Sequence, residues 1–328
     1  MASDLSAVAD AIRANDRFLL VTHENPDGDA LGSILAMKLA LDAIGKDAVM
    51  FVGGEMTLPP EYDFLPLDGL VRTLPDDAGE RVILALDSAT AARTKLDEAL
   101  LEGAPLTIDV DHHHDNTRFG DVNLVVPEAS SSGEIVRDLL SELDIALTPE
   151  IAEAIYVAVD TDTGKFQYTN TTERAHLLAA ELMGHGVRPF PIFQRIYESV
   201  PFERQQLIGK ALSRAHRYED GRMIASYLLR NDFEELGVGE EYAEGVIDEL
   251  RKVKGVELAM TVREPPEPPG AQRRISMRSA TDALDVSAIA RQRGGGGHMR
   301  AAGFSTDESI EDVIEFVRSE FVNAAARA

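Results

Sequence analysis

Arg81-Val-Ile-Leu-Ala-Leu86 is the stretch that most restricts what this chain can fold into. Val82 to Leu86 leaves no polar face, so the segment reads as a strand covered on both sides, the pattern of a parallel sheet between helix layers. The run stops on Asp87-Ser-Ala-Thr90, and a helix is expected from about Ala91. Two further stretches repeat the arrangement. Phe18 to Val21 gives way to Thr-His-Glu-Asn-Pro-Asp-Gly-Asp29, and Leu106-Thr-Ile-Asp-Val110 gives way to Asp111-His-His-His114. Around them, apolar residues recur at helical spacing. One face carries Leu5, Val8, Ala11 and Ile12; another carries Ile34, Leu35, Leu39 and Leu41, with Gly45 placed to end the helix. Ala48 to Val52 reads as a strand, and residues 53–75 as mostly loop. Ser132 to Leu143 and Pro149 to Val159 are helical by period, with Pro149 suited to a first turn. A helix over about Thr172 to Met183 closes the domain near Gly186. Strands alternating with helices predict an α/β fold, doubly wound with a mainly parallel sheet, over residues 1–186.

Residues 187–216 are helical in pattern and are expected to link this domain to a smaller one at 217–328. There, strands at Met223–Leu229, Val256–Val262 and Arg274–Arg278 surround helices at Glu240–Val253, Val286–Gln292 and Ile310–Ala326. This predicts a second α/β domain with a mixed sheet. Glu264-Pro-Pro-Glu-Pro-Pro-Gly270 is a stiff excursion between two of its strands.

With 328 residues the chain is long enough for two cores. It has no cysteine, which excludes disulfides, thiolate metal sites and a cysteine nucleophile, so any metal must be held by histidine and carboxylate. A formal net charge of −25 opposes a broad surface for long double-stranded nucleic acid, yet leaves room for a short anionic ligand. No apolar run reaches the length of a membrane span and no signal pattern opens the chain, so a cytoplasmic protein without membrane contact is expected.

Four separated groups of imidazole and carboxylate then stand out: His23, Asp27 and Asp29; Asp87; Asp111 to His114; Asp160 and Asp162. A parallel sheet lines up the carboxyl ends of its strands, so the first three groups meet at one edge. A single aspartate there is usually a helix cap. All four groups together have the makeup of a site for more than one metal. Mixed imidazole and carboxylate suits Mn²⁺, and less exclusively Fe²⁺, Co²⁺ or Zn²⁺. Two ions roughly 3.5–4 Å apart would activate water and neutralise a phosphoryl oxygen. In the C-terminal domain, Gly294 to Gly297 reads as a hinge or as a cradle of backbone amides for a phosphate. His298 follows it, among Arg291, Arg293 and Arg300, and Arg278 is a candidate phosphate fork. Against only Asp282 and Asp285, these arginines form a local basic patch suited to a short end.

Asp27-Gly-Asp-Ala-Leu-Gly-Ser33, Asp111-His-His113, Thr161-Asp-Thr-Gly-Lys-Phe166 and Gly294-Gly-Gly-Gly-His-Met-Arg-Ala-Ala-Gly303 resemble, in order, the motifs of the DHH phosphoesterases and their associated C-terminal domain. The match spans nearly the whole chain. Its layout is similar to the stand-alone members that degrade very short RNAs and dephosphorylate 3′-phosphoadenosine 5′-phosphate. The resemblance implies two Mn²⁺ ions, with Mg²⁺ or Co²⁺ as substitutes. His23, Asp27 and Asp87 would hold one; Asp29, Asp87, His112 and Asp162 the other, with Asp87 bridging and catalytic. His113 would act on the phosphate, and Asp111 would orient His112. Asp162 ranks ahead of Asp160 because it directly precedes Thr-Gly, and His114 and Asp115 are expected to be structural or surface residues. Arg278, Gly296, Gly297, His298 and Arg300 would bind substrate, and a homodimer is compatible with this layout. The rival substrates are cyclic dinucleotides or their linear products, with an inorganic pyrophosphatase further off. The rivals of another class are a non-catalytic nucleotide sensor and a metal-storing scaffold.

Overall fold

The computed structural model describes residues 2–54, 58–243, 245–268, 270–281 and 283–325. It divides into two units, Met1–Ser199 and Val200–Ala328. The first contains α1 (Ala2–Ala14), β1 (Arg17–Thr22), α2 (Gly28–Ala43), β2 (Asp47–Val52), β3 (Leu70–Val71), β4 (Val82–Leu86) and α3 (Glu98–Gly103). It continues with β5 (Thr107–Asp111), β6 (Val122–Val125), α4 (Ser132–Glu142), α5 (Pro149–Asp162), α6 (Glu173–Gly184) and α7 (Pro189–Phe193). The strands pair in the order β3-β2-β1-β4-β5-β6, every pairing parallel. All residues of β4 and β5 are buried, as a strand between two helix layers must be. The chain leaves β1 through α2 to β2 on one side, and later returns to place β4 on the other. The strand order therefore reverses between β1 and β4, where open α/β sheets bind ligands beyond the carboxyl ends.

Packing between α2 and α5 brings remote motifs to that edge. A Cβ on Gly32 would fall 2.4 Å from the Ala154 carbonyl oxygen, so the two helices touch through their backbones. A Cβ on Gly28 would fall 2.4 Å from Thr161 Oγ1, and this close approach seats the end of α5 against the start of α2. The helix α5 runs on to Asp162, so Asp160 and Asp162 lie in its last turn and not beyond it. Two short edge strands, β3 and β6, were not expected, because polar residues break their apolar pattern. The helix expected from Ala91 is one tight turn, Ala91–Thr94, ended by Lys95 in the left-handed region at φ 58°.

The second unit contains α8 (Phe202–Ser213), β7 (His216–Tyr218), β8 (Met223–Leu228), α9 (Arg230–Leu236), α10 (Val246–Arg251) and β9 (Leu258–Arg263). Then follow β10 (Arg273–Ser279), α11 (Val286–Arg291), β11 (Gly296–His298), β12 (Ala301–Thr306) and α12 (Ile310–Ala325). Its sheet, β11-β12-β10-β9-β8-β7, is mixed as expected, with β8 and β9 parallel and the other pairs antiparallel. Met260, Met277, Phe304, Val313, Val317 and Phe321 are among its core residues. Residues 187–216, expected as a linker, contribute α7 to the first unit and α8 to the second. Asp282, Ala326 and the His298 side chain lie outside the described residues.

Asp232 anchors the turn into α9. Its buried carboxylate accepts from the Leu229 amide at 2.8 Å, Arg214 Nη2 at 2.8 Å and Lys210 Nζ at 3.2 Å. Burial raises its pKa, but these donors outweigh it and bring the group down to about 2. A carboxyl depressed in the folded state stabilises above its unfolded pKa of roughly 3.9, here by about 2 kcal/mol. That contribution is lost as pH falls from about 4 towards 2. Urea unfolding at stepped pH is expected to show this acid limb in the wild type and a flatter one in Asp232→Asn. Equal slopes would remove the pair from the account.

Candidate metal centre

His23 follows directly on β1 and is buried. Asp27 sits at the amino end of α2, where its Oδ1 accepts from the amides of Asp29 and Ala30 at 3.1 Å each. It is thus a helix cap, yet 60% of its side chain stays exposed. Asp29, inside the first turn of α2, is buried: Oδ2 accepts from the Ser132 amide at 2.7 Å, and Oδ1 from the Gly133 amide at 2.9 Å and Ser33 Oγ at 3.1 Å. Asp87 leaves β4 in the left-handed region, φ 56°, which costs a non-glycine residue roughly 1–2 kcal/mol. That turn aims its carboxylate across the switch point. Oδ2 lies 3.6 Å from His23 Nε2 and Oδ1 lies 3.6 Å from His112 Nε2.

Two groups that could hold a metal ion result, with Asp87 between them. His23 Nε2 is 4.0 Å from Asp27 Oδ1. His112 Nε2 is 3.6 Å from Asp29 Oδ2 and 3.6 Å from Asp162 Oδ2. These spacings are too long for hydrogen bonds. They suit donor atoms that each stand about 2.1 Å from a shared ion. The electrostatics agree. Burial pushes the Asp29 carboxyl well up, and Asp87, Asp162 and Asp27 push it further. Asp162 is raised to about 6 by burial and then by Asp87 and Asp27, against the pull of His112. Carboxylates crowded this way repel one another until a cation stands among them. The donor set therefore fits divalent ions bound by imidazole and carboxylate. His112 Nδ1 faces the Ala129 carbonyl at 3.4 Å, the outer contact a ligating imidazole commonly makes, whereas His23 Nδ1 is buried without a hydrogen-bond partner among the described residues.

Asp111 departs from expectation. Its Oδ1 accepts only the backbone amide of His112, at 2.8 Å, and meets the ring of His113 instead, 2.8 Å from Nδ1. The chain turns between the two histidines, so the carboxylate at the strand end reaches the second ring and not the first. Asn116 Nδ2 holds the other oxygen of Asp111 at 2.7 Å. His113 is raised to about 9, chiefly by the Asp111 hydrogen bond, and its Nδ1 lies 3.5 Å from Asp87 Oδ1. His114 and Asp115 are exposed, and Asp160 Oδ2 accepts from the Tyr197 hydroxyl at 2.9 Å, away from the ligand groups.

Ser132 escaped the sequence reading. Besides its amide bond to Asp29, its Oγ donates to Asp87 Oδ1 at 3.1 Å, so one residue steadies two candidate ligand carboxylates. A signal existed: Ser131 and Glu134 have capping-box spacing, and Ser131 Oγ accepts the Glu134 amide at 3.1 Å. A helix start is where backbone amides receive a carboxylate. Asn170 was also missed; its Nδ2 donates to Asp162 Oδ2 at 3.0 Å and to the Ser130 carbonyl at 2.9 Å. Ser132→Ala is expected to weaken Mn²⁺ binding about 10–100-fold in titration calorimetry without loss of fold. Affinity within twofold of wild type would deny the serine this part.

In the second unit, β10 pairs Arg278 with Ala301, and β12 pairs Ala301 with the backbone of His298, so the three positions stand in one row. Arg278 is half-buried and its Nη1 donates to its own neighbour, the Met277 carbonyl, at 3.2 Å. Gly296 and Gly297 belong to a strand and not a loop. Gly297 has φ 131°, and a Cβ there would lie 2.5 Å from the Ala301 carbonyl, so the hairpin itself demands glycine. Arg300 lies in the exposed turn, and its carbonyl accepts the Ser279 amide at 2.9 Å.

Residues 17–159 match the model of the DHH family, N-terminal domain, and residues 220–323 that of the DHHA1 domain. A bifunctional oligoribonuclease and PAP phosphatase NrnA from Thermus thermophilus is 33% identical over 97% of this chain and 94% of its own. The chain belongs to the DHH family. The family resemblance drawn from the four motifs is borne out. Among solved structures, an exopolyphosphatase-related protein from Bacteroides fragilis superposes with a TM-score of 0.88 at 24% identity, over 100% of this chain and 96% of that one. RecJ from Thermus thermophilus in complex with Mn²⁺ gives 0.56 at 14% identity, over 98% of this chain and 55% of RecJ. Both show that the DHH fold is shared. No helix among the described residues is long and apolar enough to cross a membrane.

Proposed function

We propose that this DHH-family chain is a divalent-metal-dependent phosphoesterase that hydrolyses oligoribonucleotides of a few residues to mononucleotides. We propose also that it dephosphorylates 3′-phosphoadenosine 5′-phosphate, the pair of activities named for the NrnA relative. The observation that carries the chemistry is Asp87, whose two oxygens face two different histidines at 3.6 Å each. His23, Asp27 and Asp87 would hold one ion, and Asp29, Asp87, His112 and Asp162 a second. Mn²⁺ suits this donor set, with Mg²⁺ or Co²⁺ as substitutes. Bound ions supply an acidified water and charge neutralisation at the phosphoryl oxygens.

The chain's own groups do the rest. His113, kept protonated by Asp111, offers its remaining N–H to a phosphate oxygen beside the ligand groups. Asp111, buried and held by Asn116, keeps that ring in one orientation. Asp29 and Asp87 stay in place through Ser132. In the second unit, Arg278, Gly296, Gly297, His298 and Arg300 are proposed to receive the substrate's nucleotide end. The basic patch expected from the sequence is largely neutralised, because Arg291 pairs with Asp285 at 3.4 Å and Arg293 with Glu308 at 3.0 Å, acids partly remote in sequence. Arg278 and Arg300 are the cations proposed for a short substrate end.

The test uses metal-stripped protein, Mn²⁺ and four substrates: a 5′-labelled RNA trinucleotide, 3′-phosphoadenosine 5′-phosphate, cyclic di-AMP and its linear dinucleotide. Mononucleotides released only with metal, and the linear form cleaved faster than the ring, are expected. Preference for the ring makes the enzyme a cyclic dinucleotide phosphodiesterase. Tight nucleotide binding with no turnover makes it a sensor.

A further inference from the structure

The tight turn Ala91–Thr94 lies just past Asp87, and backbone bonds pin it to the edge of the sheet that carries the ligand groups. The Arg93 amide donates to the Thr90 carbonyl at 3.1 Å, and the Arg93 carbonyl accepts the Glu24 amide, one residue beyond His23, at 2.8 Å. The turn's exit is fixed against Gly53, where a Cβ would fall 2.5 Å from Lys95 Cβ. Arg93 is thereby held between the His23 loop and the Asp87 turn. On the far side, the Thr117 amide donates to the Ala89 carbonyl at 2.9 Å, which ties in the segment after His113. The charge of Arg93 is felt at His113, where it opposes the effect of Asp111.

Its neighbours have partners. Lys95 Nζ lies 3.1 Å from Glu24 Oε1. Arg93 is half-buried, and among the described residues its side chain makes no hydrogen bond or ion pair. The chain has 57 acidic and 32 basic residues, so carboxylates outnumber the cations they could pair with. A partly desolvated guanidinium without an acid is costly unless an anion completes it. Its planar fork matches two oxygens of one phosphate, and Lys at such a place would match only one.

We propose that Arg93 is a substrate-binding residue that takes two non-bridging oxygens of the nucleotide phosphate presented to His113. The assignment rests on the phosphoesterase reading above and adds to it a cation supplied by the first unit. It also predicts that the first unit discriminates phosphate from neutral esters without help from Arg278.

Calorimetric titration of the Mn²⁺-loaded full chain with AMP tests it. Arg93→Met is expected to bind AMP about tenfold more weakly or worse, with Arg93→Lys between it and wild type. KM for the RNA trinucleotide rises in step. Mn²⁺ affinity and melting temperature, measured on the same samples, stay near wild type. AMP affinity within twofold of wild type in Arg93→Met overturns the assignment, and so does a parallel fall in Mn²⁺ affinity, which marks a structural brace. Should Arg93→Met melt early, Arg93→Gln gives the same comparison with a polar side chain. Wild type that binds AMP but cleaves neither the trinucleotide nor 3′-phosphoadenosine 5′-phosphate overturns the functional reading alone.

Discussion

An Asp87→Asn variant is expected to lose hydrolysis of the RNA trinucleotide by about 10³-fold or more and to bind fewer Mn²⁺ ions than wild type. The asparagine keeps the size of the side chain and one carbonyl oxygen, so only one of the two faces retains a ligand atom. The other face, towards His23 or His112, meets an amide nitrogen that cannot coordinate. Loss of one ion's charge at the phosphoryl group removes several kcal/mol of transition-state stabilisation, which is the size of the expected effect. Single-turnover cleavage and the stoichiometry of Mn²⁺ titration measure the two halves separately. Stabilisation of the fold by added Mn²⁺ should shrink as well, because binding to the native state is what shifts the melt. Full stoichiometry with turnover near wild type would show that Asp87 is not shared between ions.

The second large effect concerns His113. His113→Gln is expected to lower kcat by about 10²–10⁴-fold, the range for a positioned proton donor or acceptor, while Mn²⁺ affinity changes little. The separation matters because His113 Nδ1 stands close to both Asp111 and Asp87, at 2.8 and 3.5 Å, and can be grouped with Asp87 and His112 as a ligand. A histidine whose Nδ1 is committed to a buried carboxylate has only Nε2 left for a phosphate oxygen. Mn²⁺ affinity falling together with kcat would make His113 a ligand instead. Asp111→Asn serves as the companion variant: it leaves a hydrogen-bonding group beside the ring but removes the charge that keeps it protonated. A milder fall in kcat, without loss of metal, is the expected result.

Much of the first unit was legible because its signals are local. The apolar run Val82–Leu86 can only be a covered strand, and its abrupt end on Asp87 marks a functional edge. The same logic located His23, Asp27, Asp29 and His112, each at or just past the end of an apolar strand. Edge strands were harder. Val122–Val125 and Leu70–Val71 bury little, so nothing in their sequence forces alternation or continuity. The glycine run at 294–297 read as hinge or cradle because glycine is compatible with either. Only the neighbouring strand, whose Ala301 carbonyl leaves no room for a Cβ at Gly297, reveals part of the run as strand.

The residue types at the centre, their order and their family were thus determined by the sequence alone, since strand periodicity and motif spacing are properties of neighbours along the chain. Which oxygen faces which histidine was decided only by tertiary structure. Asp111 serves His113 and not His112 because of the way the chain turns after β5. Ser132 reaches Asp29 and Asp87 across 103 and 45 positions because α4 starts where the sheet edge ends. Asp162 joins them because Gly28 and Gly32 let α5 lie against α2 at backbone contact. Such convergence depends on how helices pack, and packing is set by the whole core and not by any segment of it.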